Sequence, residues 1–351
     1  MKKKILFSLP ILAVSASFMT GCNSSDSRIR ITYGSPLLSE MVELTYSDFT
    51  QKMTYGENMI VATYDSEVSE SCGCWINFQP ILNRYSDEKD TIIYKMDRHY
   101  IVNNPYGLIL PSGSDPTFFV TNKGNLEKQY VYNTSSPSSE LFKNYAKFKD
   151  NMDSLVKEAQ LMLVDIDYVQ KAIFEENRTD FVLYQARSAC PDCSYCTPNF
   201  LEPYAAKNNL KNKIYVVDIQ SIYDDKPTYQ AYKDKMEMSE SANATFGYQQ
   251  GVVPTFQIWS NGVLKDTCVY FNDSVAKNEE TQKWYVKESY YTEERVANLK
   301  YTNTVLLGHE IPDDEIEEIQ YGSKTYYAWK QSAMAKIYNP IVSDFLNMYA
   351  K

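Results

Sequence analysis

The apolar and polar positions of this chain run through one order twice. VELTYSDFTQKM, residues 42–53, alternates briefly and then takes helical spacing, with Ser47 near the helix start. NMIVATYDSE, residues 58–67, follows as an apolar strand that leads to a loop with two cysteines. Further on, LVDIDYVQKAIFEENRTD (163–180) and FVLYQARSA (181–189) repeat strand, helix and apolar strand before a loop with three cysteines. Periods of 2 and 3.6 are the geometric signatures of strand and helix. Each cysteine loop opens a helix, INFQPILNRYS or TPNFLEPYAAKN, and each helix precedes an apolar strand, TIIYKMD or KIYVVDI. Each copy then has a Pro-Thr-aromatic strand and a turn, DPTFFVTNKGN (115–125) and VPTFQIWSNGV (253–263). Asn-Lys-Gly and Ser-Asn-Gly are hairpin signals. This order predicts an α/β fold, each copy a mixed central sheet flanked by helices. Two copies predict two domains, 41–158 and 159–351. The second has long insertions near 219–247 and 275–335, either of which could cover an active-site face or form a partner surface.

The N-terminus changes the expected compartment. MKKKILFSLPILAVSASFMTGC has a basic start, an apolar stretch too short to span a membrane permanently, and small residues before a cysteine. Residues 1–21 therefore read as a secretory signal peptide. The ending MTGC resembles a bacterial lipobox, which implies lipidation of Cys22 and an anchor on the outer face of the cytoplasmic membrane. Residues 22–40, in which NSSDSRIR follows the cysteine, then read as a flexible polar tether.

Charge and composition narrow the function classes. The net charge is −10, and loss of residues 1–21 with their three lysines makes the mature chain still more acidic. An acidic surface argues against nucleic acid or anionic lipid as a partner. His99 and His309 are the two histidines, too few for a His-rich metal site or an obvious Ser-His-Asp set. Six thiols remain besides Cys22: Cys72, Cys74, Cys190, Cys193, Cys196 and Cys268. An even count outside the cytoplasm permits disulfides, but their clustering points to sites rather than to dispersed staples.

A cysteine at a helix N-terminus gains thiolate character from the helix dipole and the free amides. Cys190 stands at such a place, with Cys193 one turn on. Cys190-Pro-Asp-Cys193, Pro198 five residues after Cys193, and GVVPTFQIWSNG resemble the active-site turn, helix proline and cis-proline strand of the thioredoxin family. The second half is also similar to bacteriocin-transport accessory proteins, which carry a Cys-Pro-x-Cys turn on a thioredoxin-like fold. The resemblance implies Cys190 as exposed nucleophile, Cys193 as internal resolving thiol and Pro254 as the cis-proline. Val253, Pro254 and Thr255 would then be the strand that pairs with substrate.

In the first half Pro80 registers the helix, so Cys72 falls on the family's first cysteine. Trp75 then takes the place of the second, and Asp115 and Pro116 match the cis-proline strand. Cys74 is one residue early for a resolving thiol. A Cys72–Cys74 bond cannot form inside a regular helix. In the loop before the helix it requires an unusual conformation at Gly73, and so small a ring is expected to be strained and more oxidising. The family's buried acid, six residues before the first cysteine, is replaced by Ser66 and Tyr184, which puts the proton-transfer route in question.

Cys196 extends the second turn to CxxCxxC. With Cys268 as a fourth ligand this set could hold zinc or part of an iron–sulfur cluster, and the CxC could hold a soft metal such as Cu(I). A Cys196–Cys268 disulfide or a relay that resolves mixed disulfides is the favoured use of these accessory thiols, and no metal or cofactor is assigned. The expectation is a membrane-anchored thiol–disulfide oxidoreductase acting on thiols of exported or surface proteins, with an unnamed redox partner. Its two sites are expected to lie near enough to exchange electrons. The alternatives are a non-catalytic accessory or binding protein for export or surface assembly, and a metal carrier.

Overall fold

The computed structural model describes residues 26–35, 37, 40–111, 113–239, 253–269, 275–286, 310–321 and 324–350. The expected signal peptide and Cys22 lie outside these residues, as do parts of both insertions, 240–247 and 287–309 among them.

The first copy begins with β1 (Val42–Glu43) and α1 (Tyr46–Tyr55). Thr45 caps α1, its hydroxyl accepting from the Asp48 amide, which satisfies an amide that the helix leaves free. Gly56 ends α1 with φ +88°, a left-handed conformation that glycine adopts without a Cβ clash. β2 (Ile60–Tyr64), α2 (Gly73–Lys89), β3 (Ile93–Asp97), β4 (Thr117–Asn122), β5 (Asn125–Val131) and α3 (Tyr145–Leu155) follow. The sheet order is β1-β3-β2-β4-β5, parallel through β2 and antiparallel for the last two pairings.

The second copy has β6 (Leu161–Val164), α4 (Ile166–Gln170), β7 (Phe181–Ala186), α5 (Pro191–Cys196), α6 (Glu202–Lys207) and β8 (Ile214–Asp218). An insertion helix α7 (Lys226–Lys235) precedes β9 (Thr255–Ser260), β10 (Val263–Val269) and the last helix α8 (Gln331–Tyr349). Its sheet order, β6-β8-β7-β9-β10, repeats the first with the same strand directions. Both sheets thus have the mixed thioredoxin-like order that the sequence repeat implied. Both hairpins turn on paired left-handed residues, Lys123–Gly124 and Asn261–Gly262, which match the right-handed twist of the strands.

Residues 28–34 depart from the expected tether. Ile29–Arg30 pairs in parallel with Val156–Lys157, and Tyr33–Gly34 adds a sixth strand beside β6. Ile29, Ile31 and Tyr33 are buried, and Arg30 meets the Glu202 carboxylate at 3.0 Å. Their period-2 alternation is a strand signal hidden inside a polar segment.

The two sheets share interior. Phe49, Met53, Val61, Tyr94 and Phe119 of the first copy belong to one buried cluster with Tyr184, Phe256 and Phe345 of the second. On the other face of the first sheet, Phe78 packs against Phe118, Phe142 and Phe148.

The described parts of the two insertions serve different faces. α7 and its continuation bury Tyr232, Met236 and Met238 beside Leu183 and Trp259. Tyr232 donates to Gln185 at 2.8 Å, and Gln257 donates to the Met236 carbonyl at 2.8 Å. Gln185 alternates with Tyr184, so this insertion covers the face opposite α5. The later insertion instead brings Trp329 and Ala333 into the cluster that holds Cys190.

Candidate active site

In the second copy the chain leaves β7 and turns at Cys190, the N-cap of α5. The Cys193 amide donates to Cys190 Sγ at 3.5 Å, and the Arg187 amide donates to Cys193 Sγ at 3.4 Å. The Val253 carbonyl accepts from Cys190 Sγ at 3.6 Å, and the Val253–Pro254 bond is cis. Cys190, Cys193, Cys196 and Cys268 are free thiols, all buried. The hydrogen bond with Cys193 lowers the Cys190 pKa, against the effect of its burial. Burial and the neighbouring Cys190 push Cys193 well up. Of the two, Cys190 is thus the thiol more readily ionised and Cys193 the one that holds its proton more tightly.

Burial of Cys190 corrects the expectation of an exposed nucleophile. Only 6% of the residue is exposed. Tyr55, at the end of α1, lies within electrostatic range of Cys190 and Asp192. Asn199 donates to the Tyr55 carbonyl at 3.2 Å, Gln51 to Ser194 Oγ at 3.2 Å, and Gln331 of α8 to Asp192 at 3.3 Å. The first copy and the last helix together close over the turn.

Helix α5 passes through a π turn, Thr197–Leu201, into α6. Pro198 and Pro203 lack amide donors, and a widened turn accommodates such gaps. Tyr184 occupies the place expected for a buried acid. Its hydroxyl donates to the Cys193 carbonyl at 3.5 Å and lies 3.3 Å from Thr197 Oγ1. Burial pushes its pKa well up, so it is a neutral donor.

Cys196 is buried below Cys193, and Cys268 sits opposite Phe256 on β10. The favoured Cys196–Cys268 disulfide is not formed here. Burial raises both thiols. Nor do any three of the four thiols converge as a metal set. Among the described residues the one His/Cys/Asp/Glu group that does so is Asp65, Glu67 and His99, where His99 and Asp65 form an ion pair at 2.8 Å.

In the first copy Cys72 and Cys74 are joined in a disulfide, with Cα atoms 5.3 Å apart. Cys72 is the extended N-cap of α2 and Gly73 its first residue. Gly73 does not have a positive φ, which corrects the expectation of an unusual glycine. The bond spans the junction between loop and helix, where Cys72 (ψ 104°) has not yet joined the helical path. Both sulfurs lie 4.0 Å from the Ser114 carbonyl, and both residues are half-buried.

Asp115–Pro116 is not cis, a second correction. Trans is the intrinsically preferred isomer of any X-Pro bond, and the sequence pattern around Pro116 does not encode the choice. Trp75 fills the interior where Cys193 stands in the other copy, stacked on Tyr64 at 5.3 Å. Ser66 donates to Asp97 at 2.5 Å, so a carboxylate from the next strand occupies that region. Asp218 is its counterpart in the second copy and accepts from the Ser188 amide at 3.1 Å. These paired aspartates at equivalent strand ends are visible in YKMD and YVVD.

Cys190 lies by Tyr55, which precedes the N-terminal end of β2, whereas Cys72 follows the C-terminal end of that strand. Among the described residues no helix is long and apolar enough to cross a membrane.

No family model and no curated protein matches the chain. Among solved structures it is similar to a point mutant of thioredoxin from Halobacterium salinarum NRC-1, at 15% identity over 35% of this chain and 95% of that one, with a TM-score of 0.26. The zinc-bound form of human ERp44 matches at 11% identity over 65% of this chain and 53% of that one, with a TM-score of 0.22. Full-length ERdj5 matches at 13% identity over 63% of this chain and 28% of that one, with a TM-score of 0.24. The description of the fold rests on the strand order and directions of the two sheets.

Proposed function

We propose that the chain is a thiol–disulfide oxidoreductase for cysteines of exported or surface proteins, anchored outside the cytoplasmic membrane by lipid on Cys22. The observation that carries the reaction is the Cys193 amide and thiol directed at Cys190 Sγ, which stabilise a thiolate at the start of α5. Attack by that thiolate on a substrate disulfide forms a Cys190–substrate bond and expels one substrate thiolate. Cys193 then attacks the Cys190 sulfur, which closes the Cys190–Cys193 disulfide and releases the second substrate thiolate. Two electrons pass from the dithiol to the substrate, and the reverse sequence oxidises a substrate dithiol. Val253, with its carbonyl beside Cys190, and Pro254 and Thr255 after it form the strand against which substrate backbone would lie. The half-buried Cys72–Cys74 disulfide, near Asp115 and Pro116, would accept electrons directly from a substrate thiolate.

Insulin reduction and oxidation of reduced ribonuclease test the reading, with Cys190→Ser and Cys72→Ser as separate variants. Turnover by the intact protein, lost in one or both variants, supports it. Inactivity of the intact protein in both directions sinks it. The shielding of Cys190 favours a second reading, a non-catalytic accessory protein whose dithiol is structural. That reading predicts full retention of partner binding in Cys190→Ser.

A further inference from the structure

A small cleft of about 50 Å³ opens behind the second cysteine turn, and Cys190 does not line it. Cys193, Ser194 and Thr197 form one wall, and Gln51, Lys52 and Glu57 of the first copy line the other. Glu57 is 3% exposed and meets the Lys52 ammonium at 3.0 Å. Taking both charges out of water is costly, and removing one partner would leave the other uncompensated. The left-handed Gly56 makes the arrangement, because it turns the chain so that the Glu57 amide returns to the Lys52 carbonyl at 3.0 Å. Thr121 fixes the same residue by donating to its carbonyl at 3.0 Å.

We propose that Glu57, held by Lys52, receives the proton of Cys193 when that thiol resolves a mixed disulfide, so that the first copy completes the active site of the second. The proposal rests on the redox reading above. Cys193 is buried and must lose its proton to become a nucleophile. On the strand that leads into its turn stands Tyr184, a neutral donor with no proton-accepting role. Three carboxylates line the cleft: Asp48, Glu57 and Asp218. Asp218 is committed to the amides of Ser188 and Gln220, and Asp48 to the exposed cap of α1. Glu57 alone of the three is buried against an ammonium. Burial disfavours the charge on Lys52, but Glu57, Tyr94 and Tyr33 hold its pKa well above the ordinary value. Arg187 also faces the cleft, and Asp192 and Cys190 lie on the far side of Cys193. Its space exceeds that of a single water, and Gln51, Lys52, Glu57, Ser194 and Thr197 supply polar partners for one that carries the proton.

In this step the Cys193 thiol gives its proton, through cleft water, to the Glu57 carboxylate. The resulting thiolate attacks the Cys190 sulfur of the mixed disulfide; the Cys193–Cys190 bond forms and the Cys190–substrate bond breaks. The substrate sulfur leaves as a thiolate with the electron pair, and Glu57 later releases its proton to solvent.

The test is stopped-flow reaction with 5,5′-dithiobis(2-nitrobenzoate), a small disulfide that needs no protein-binding surface. Cys190 releases the first equivalent of chromophore in a bimolecular phase, and Cys193 the second in a unimolecular phase that Cys193→Ser removes. Glu57→Gln is expected to slow the second phase ~10–100-fold at pH 7, to alter its pH profile and to leave the first phase unchanged. Glu57→Asp should restore part of the rate, with thermal melting as the check on folding. Should Glu57→Gln not fold, Lys52→Gln answers the same question by moving the pH profile of the second phase by about one unit. A wild-type protein without the second phase, or variants that keep its rate and pH profile, overturns the proposal. Inactivity on insulin with both phases intact would sink the enzyme reading and leave this inference standing.

Discussion

The Cys193 amide points at Cys190 Sγ from 3.5 Å, and with the Cys193 thiol it sets two chemically identical groups apart. The sulfur at the helix cap has its pKa lowered, and burial and its partner raise that of the one beneath it. Iodoacetamide should therefore label Cys190 with a pH midpoint below that of an unperturbed thiol. Cys193→Ser should move that midpoint upward, because the sulfur hydrogen bond is the main cause of the lowering. Peptide mass spectrometry across pH reads both outcomes. An unchanged midpoint in Cys193→Ser would refute the assignment.

Trp75 stands one turn beyond Cys72, where the other copy has its resolving thiol. Trp75→Cys should redirect some pairing from Cys74 to the new thiol, as the +3 position faces Cys72 across one turn. The loss of a buried indole stacked on Tyr64 should cost about 3 kcal/mol. Disulfide mapping and denaturant unfolding measure the two effects. Pairing that stays wholly at Cys74 would show that the loop geometry, not the missing partner, selects that bond.

Phe78 is fully buried, with its ring 4.5 Å from Phe142 and 5.5 Å from Phe118. Phe78→Ala should destabilise the protein by about 3–5 kcal/mol, through lost apolar burial and a residual cavity. Chemical denaturation is the readout, and a loss below ~1 kcal/mol would mean that the aromatic cluster repacks freely.

His99 and Asp65 give a pH signature independent of the thiols. The Asp65 hydrogen bond raises the pKa of His99 above 6.5. The stabilisation is therefore complete below that value and lost as pH rises through the raised native pKa. The same hydrogen bond lowers Asp65 from 3.8, so its contribution disappears only as pH falls through the lowered value. The stability difference between wild type and His99→Gln should shrink as pH rises above about 6.5. Both groups are at the surface, so the effect is small and salt-sensitive. A difference that grows over this range would contradict the ion pair.

The repeat was legible because its signals are local. The turns at Lys123–Gly124 and Asn261–Gly262, the apolar strands and the helix starts each follow from a few adjacent residues. What escaped depends on chain segments meeting from afar. Shielding of Cys190 requires Tyr55 and Gln331, 135 residues before it and 141 after it by position in the chain. Glu57 carried no motif; its burial beside Lys52 follows from the fold. Ile29, Ile31 and Tyr33 alternated openly, but their polar neighbours masked them. Pro116 and Pro254 both precede Thr and an aromatic residue, so nothing local separates their isomers.

The strand pairing of Ile29 with Val156 has a mechanical consequence. With the anchor proposed at Cys22, about seven residues of chain lead from it to Ile29, and a run of that length reaches no more than ~25 Å. The body would work on a short leash, meeting polypeptides as they emerge at the membrane surface rather than ranging outward to find them.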